Sequence, residues 1–396
     1  MQEASSDTPT KRRPDDLQHP ASKSKRSLET KRSEEEGKSS NEICGLDLLQ
    51  EGKILEPKLV DDEEEEKGNI ESQTIEIEEE EGDGVDDGLA TQERRRISIV
   101  DKILSNHTGG GRRLYLHNVR IRSLYDKFDS WFGSPALYNL EELDFCYRFA
   151  QSDSNKPLLP LSALRFSSTL AILCLGNCHF PMDGAYSIHL PKLKHFSLCG
   201  VTMSENVFHS LLSGSPVLES LLILDCNGLR KEMTPVVLNA SICTLKVLVI
   251  RLTGPNLGAV LDLLKCFPCL ETFYLMISGP RINVADTQYD NLPAPGSIHC
   301  LGQHLHKIVI RGYQGRQADI DFANFFLVNA RMLRIMKIIA PRMISDKWIA
   351  NQRKSLLLDY KASKDAEIHF TYCYLRTEMD CRKRTHDLSV SDPFDM

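Results

Sequence analysis

No stretch of this 396-residue sequence approaches the roughly 18–20 consecutive apolar residues needed to span a bilayer, so no membrane helix is expected. The N-terminus, MQEASSDTPTKRR, has no apolar core behind its basic residues and does not read as a signal peptide. A reducing compartment is therefore expected, with the 12 cysteines kept as thiols. Catalytic signatures are missing as well. There is no nucleophile elbow, no HExxH, and no kinase or nucleotide fingerprint. Thr108–Arg113 (TGGGRR) is glycine-rich but lacks the Gly-Lys-Ser/Thr ending of a phosphate loop. Cys266 and Cys269 have CxxC spacing, yet no second CxxC exists to complete a zinc site. These two cysteines, and the nearby His299, Cys300, His304 and His306, read as packing and turn residues. No catalytic residue, metal or cofactor is expected.

The first 90 residues are also poor in aromatic and branched apolar side chains, so burial cannot offset their chain entropy. Asp61–Glu66 and Glu78–Glu81 are unbroken acidic runs. Residues 1–96 carry 28 acidic and 15 basic groups, whereas 97–396 carry 27 and 33. The overall charge of −7 therefore belongs to a tail, and the body is mildly basic. Residues 1–96 read as a disordered tail, mixed in charge and then acidic, and 376–396 as a second one. Lys11 and Arg12, followed ten residues later by Lys23, Lys25 and Arg26, match a bipartite nuclear-import pattern. They place the chain in the nucleus and/or cytoplasm. The same clusters carry an alternative, a nuclear nucleic-acid-associated protein. The acidic run 61–87, with 15 acidic residues and one Lys, would be repelled by a phosphate backbone and argues against it.

What the body does have is a repeat. An apolar residue, two residues, an apolar residue, one residue and an apolar residue recur together. The copies begin at Leu140, Leu170, Leu193, Leu218, Leu245, Leu270, Leu305 and Leu333, at intervals of 23 to 35 residues. A weaker copy holds Leu114 and Leu116. This is leucine-rich-repeat spacing with irregular members. Each alternating core predicts a short strand with two inward apolar residues. Ser204–Leu212 (Ser204 as N-cap), Asn256–Phe267 and Ala318–Met332 have helical periodicity between strands. Strand alternating with helix predicts an α/β fold, an irregular leucine-rich-repeat solenoid with a curved parallel sheet.

Three stretches resemble the large plant family of F-box proteins with leucine-rich repeats and a C-terminal FBD region. Ile97–Gly110 (ISIVDKILSNHTGG) is similar to the segment that follows the F-box. Cys300–Pro341 resembles the FBD core of strand, Gly-containing loop, helix and strand. Lys361–Phe370 (KASKDAEIHF) resembles its closing strand. The resemblance implies leucine-rich repeats over 97–299 and FBD-like repeats over 300–375. In that family the F-box docks the Skp-type adaptor of an SCF ubiquitin ligase while the repeats hold the substrate. No F-box-like pattern precedes Ile97, where the acidic run ending GDGVDDGLATQERRR stands. Direct adaptor binding is therefore not expected. The implied role is non-catalytic protein recognition.

Residues flanking and between the two core positions of each strand should face the concave side. Leu222, Leu224, Val249, Tyr274 and Met276 then form an apolar stretch, with Arg251 and Arg311 as a charged rim. Exposed apolar surface of this kind marks a partner site, here for a protein target. The competing expectation is that these strands are buried on both faces, with Gly279–Ser297 or a tail as cover.

Overall fold

The computed structural model describes residues 74–77, 86–106, 110–119, 125–147, 156–181, 188–228, 241–252, 257–278, 294–373 and 391–394. Each of the nine apolar repeats is a strand, and among the described residues one further strand stands at each end of the row. In order they are β1 (Thr74–Ile77), β2 (Arg113–Val119), β3 (Glu142–Tyr147), β4 (Ile172–Gly176), β5 (His195–Cys199) and β6 (Ser220–Leu224). They continue as β7 (Val247–Leu252), β8 (Thr272–Ile277), β9 (Lys307–Arg311), β10 (Ile335–Ala340) and β11 (Glu367–Tyr372). All pair in parallel and in chain order, giving one open eleven-stranded sheet. This is the expected solenoid, because each unit lends its apolar face only to its neighbours.

The register keeps the repeats in phase. Leu143, Leu173, Phe196, Leu221, Leu248, Phe273, Ile308 and Met336 form one continuous row across the sheet. Two residues on, Phe145, Leu175, Leu198, Ile223, Ile250, Leu275, Ile310 and Ile338 form the next. Both rows are buried in the main core, as are the eight leading leucines. The backbone just before each strand repeats too. The carbonyl of Glu141 accepts from the amides of Ala171 and Ile172, and that of Ala171 from Lys194 and His195. Lys194, Glu219, Lys246, Glu271 and His306 each do the same for the next strand, using both lone pairs of the oxygen.

Strand ends share a turn. Asn177, Gly200, Asp225 and Gly312 each follow the last residue of a strand and have φ of 51, 64, 51 and 85°. Only Gly, Asn and Asp adopt this left-handed conformation readily. A Cβ on Gly200 would lie 2.4 Å from Oδ1 of Asn177, so the turns also stack too closely for a side chain there. The short bridges Leu158–His179, His179–Thr202 and Thr202–Asn227 extend the stacking past the turn.

Helices pack on one face of the sheet. They are α1 (Asp86–Asn106), α2 (Tyr125–Phe132), α3 (Glu205–Ser213), α4 (Leu257–Leu264), α5 (His299–Gln303), α6 (Gln317–Asn329) and α7 (Asp346–Ser355). The expected helices are α3, α4 and α6. Ser204 is the N-cap of α3, its hydroxyl accepting from the Val207 amide at 3.3 Å. The first turn of the solenoid is closed by aromatic rings. Phe128 and Phe132 meet Phe145 edge-on at 5.1 and 5.5 Å, and Tyr147 stands 4.5 Å from Phe145. Asp101 of α1 fixes α2, accepting from Lys127 Nζ at 2.8 Å and Trp131 Nε1 at 2.7 Å. The Lys127 hydrogen bond holds the Asp101 carboxyl below its ordinary range, against partial burial.

Three described features lie across or beyond the boundaries drawn from the sequence. Residue 97, expected to open the folded body, falls inside α1. The stretch read as a tail contributes β1, where Ile75 and Ile77 pair with Leu114 and Leu116. At the other end, Ser391–Phe394 is built onto the sheet, although 376–396 reads as a tail. A low apolar average over a window conceals a single strand alternation or a single aromatic anchor.

Candidate functional site

The face of the sheet turned away from the helices is built from the alternate strand residues. Its middle row runs Asp144, Cys174, Ser197, Leu222, Val249, Tyr274, Val309. The row before it runs Glu142, Ile172, His195, Ser220, Val247, Thr272, Lys307. The face is graded. From β3 to β5 it is polar or small apart from Ile172, and from β6 to β9 it is largely apolar.

The apolar half contains the expected partner residues, but not as a free surface. Leu222, Leu224, Val249, Tyr274 and Met276 are 0, 4, 0, 3 and 6% exposed. With Val247, Val309 and Ile339 they form a second apolar cluster, separate from the main core, and Phe394 completes it. Phe394 is thus one of the residues lying over this face, and the strands are buried on both faces, as parallel strands commonly are. Gly279–Asn291 and its neighbours up to residue 293, named above as a possible cover, lie outside the described residues. The expected rim also has other duties. Arg251 pairs with the Asp225 carboxylate at the β6 turn. Arg311 is 7% exposed, and its guanidinium donates to Cys373 Sγ at 3.3 Å.

Asp392 is the polar partner of this half. Its Oδ2 accepts from Tyr274 Oη at 2.7 Å and from Lys307 Nζ at 3.3 Å. Lys307 Nζ also stands 5.3 Å from the Tyr274 ring centre, within cation–π range.

The polar half follows the flanking-residue rule at His195, Ser197 and Ser220, and adds Glu142 and Asp144, which the sequence reading does not name. Glu142, Asp144, His195, Ser197 and Ser220 are all buried on this face. Glu142 accepts from Arg113 Nε at 3.0 Å and from Tyr115 Oη at 2.6 Å. The hydroxyls of Ser197 and Ser220 are buried with no hydrogen-bond partner among the described residues. The flanking-residue rule applied to the Leu140 repeat yields Glu142 and Asp144 directly, so the signal was present.

The cysteines sort by depth. Burial pushes the thiols of Cys178, Cys226 and Cys300 up to about 12, which makes them packing groups. Cys266 is buried and Cys269 half-buried. Among the described residues no group of three or more His, Cys, Asp or Glu is placed to hold a metal ion. Nor is any described helix long and apolar enough to cross a membrane. Lys11, Arg12, Lys23, Lys25 and Arg26 lie outside the described residues.

Residues 128–231 and 227–275 match the family described as the leucine-rich repeats of the FBD-associated F-box protein At5g56370. Residues 295–338 match the FBD family. The F-box protein At3g59000 of Arabidopsis thaliana is 28% identical over 154 residues, which is 38% of this chain and 30% of that protein. The match thus spans under a third of the relative's length. The first family's segments run from α2 to β8. The second covers α5, β9, α6 and the start of β10, the strand–loop–helix–strand unit expected from Cys300–Pro341. In that unit Tyr313 donates to Gln352 Oε1 at 2.8 Å, and Asp319 accepts from the Gln314 and Arg316 amides at 3.0 and 3.2 Å. Over residues 128–275 and 295–338, through these repeats and this closing region, the chain is similar to FBD-associated F-box proteins with leucine-rich repeats.

Proposed function

We propose that the chain is a non-catalytic scaffold that holds a protein target on its concave face, the target-binding half of an SCF-type ubiquitin-ligase receptor. The observation that carries this reading is the graded face itself. It offers a polar end at Glu142 and Asp144 and an apolar end that already accommodates a peptide segment. An apolar centre beside polar groups is what a protein interface requires. Residues 1–96 show no F-box-like pattern, and on this reading the chain as given does not itself bind a Skp-type adaptor. The basic clusters at Lys11, Arg12, Lys23, Lys25 and Arg26 support import into the nucleus; a fluorescent fusion with all five changed to Gln should lose nuclear enrichment.

The test is site-specific photo-crosslinking in plant tissue, with adducts identified by mass spectrometry. A photoreactive residue at Arg113 or His369, both exposed on the strand side of the sheet, should capture one common protein. The same residue at Asp346 in α7 should not. Adducts confined to α7 would sink the proposal. Calorimetry with a purified Skp-type adaptor addresses the second claim, and micromolar or tighter binding would refute it.

A further inference from the structure

Ser391–Phe394 does not resemble ordinary covering backbone. Among the described residues no backbone–backbone hydrogen bond joins it to the sheet. It is held instead by two side chains two residues apart. Asp392 supplies a carboxylate whose Oδ1 accepts from the Phe394 amide at 3.3 Å and whose Oδ2 takes both Tyr274 and Lys307. Pro393 restricts the backbone between them. Phe394, 2% exposed, is buried as a member of the apolar cluster that this face carries, with Val249, Tyr274, Met276 and Val309 among its residues. One charged clamp and one aromatic pocket, both formed by side chains of successive strands, are the elements by which a groove recognises a short peptide.

We propose that the concave face from β6 to β10 is a groove for a peptide segment with a carboxylate two residues ahead of an aromatic side chain, and that Asp392–Phe394 is the chain's own copy of that motif. This rests on the scaffold reading above and specifies what the target presents. The segment competes with the target in cis. A segment on the same chain acts at an effective concentration of about 1 mM. If it binds in trans at about 10–100 µM, it raises a competitor's apparent Kd by about 10–100-fold. A target must therefore carry a better motif, or further contacts on the polar half, to displace it.

The probe is a fluorescent peptide of residues 388–396, read by polarisation against the intact chain and a chain ending at residue 387. The shortened chain should bind the peptide, and the intact chain about 10-fold or more weakly. Peptides carrying Asp392→Asn or Phe394→Ala should bind the shortened chain about 10-fold or more weakly. Tyr274→Phe in the shortened chain should weaken the native peptide about 10- to 100-fold, as expected for a lost bond to a charged group. A folded shortened chain that ignores the peptide, or binds native and Phe394→Ala peptides equally, overturns the proposal. Intact chains with Asp392→Asn or Phe394→Ala cover the case in which shortening abolishes folding. They should keep their melting temperature within a few degrees and gain peptide binding. If the shortened chain and both variants lose the cooperative melt, the segment is core and the proposal falls. Absent peptide binding with intact crosslinks at Arg113 and His369 removes only the groove; peptide binding without those crosslinks removes only the target-holding reading.

Discussion

Leu221 and Leu222 offer a controlled comparison, because they are adjacent in β6, chemically identical and both 0% exposed, yet face opposite ways. Leu221 lies between Phe196 and Leu248 in the main core, on the helix side. Leu222 lies between Ser197 and Val249 and belongs to the cluster closed by Phe394. Full burial of a leucine side chain is worth about 1.5–3 kcal/mol. The cavity left by Leu→Ala raises the cost to about 2–5 kcal/mol. In the intact chain both substitutions should fall in that range, with Leu221→Ala toward its upper end because its neighbours on both strands are large and fixed. In the chain ending at residue 387 the two should separate. Leu221 keeps its contacts and its cost. Leu222 loses Phe394 from its cluster, so its side chain should be partly hydrated before substitution, and the cost should drop to about 1 kcal/mol, nearer that of surface changes. Urea unfolding reads this directly as midpoint shifts, provided the m-value is unchanged between variants. If Leu222→Ala costs the same in both chains, Ser391–Phe394 is not what buries it. If Leu221→Ala costs under about 0.5 kcal/mol, the repeat register is wrong.

Gly200→Ala should destabilise by about 1–2 kcal/mol, since φ of 64° disfavours a side chain and Asn177 Oδ1 would stand 2.4 Å from the new Cβ; an unchanged thermal melt would refute this. Asp101→Asn should lower the melting temperature at neutral pH. The native carboxyl is depressed below its reference value of 3.8, so its stabilisation is present above that pH and is lost as pH falls through the lower folded value. The gap between variant and native chains should therefore close in acid, and a gap that widens would contradict the assignment. The Asp101 side chain is 38% exposed, so solvent screening keeps the effect small, under about 1 kcal/mol. Alkylation at pH 8 followed by mass spectrometry should label exposed Cys243 first among the described cysteines, with Cys178 and Cys300 protected until the chain unfolds. Early labelling of Cys300 would mean that α5 does not pack as described.

Repeat periodicity made the architecture legible because each strand solves the same problem locally. Two apolar residues at alternate positions must be buried, and the neighbour one repeat away is always the nearest surface to bury them. The same regularity revealed α3, α4 and α6, through caps and apolar spacing that act within a single turn. It also identified Leu222, Leu224, Val249, Tyr274 and Met276 as one patch, because a parallel sheet in constant register adds alternate residues into rows.

Whether that patch faces water was not a local question. Its cover comes from Asp392, which meets Tyr274 at a separation of 118 residues, and nothing in the spacing of either segment predicts the encounter. The acidic and Ser-rich composition around Phe394 favours a tail, yet one carboxylate and one aromatic ring suffice to hold it when two donors and an apolar pocket are already in place. Composition and periodicity thus determined the solenoid, its repeats and its two apolar rows. Only the tertiary structure decided which face is closed, by which residues, and that the expected binding patch is occupied by its own chain, because long-range contact between short segments depends on the assembled geometry and leaves no periodic trace in the sequence.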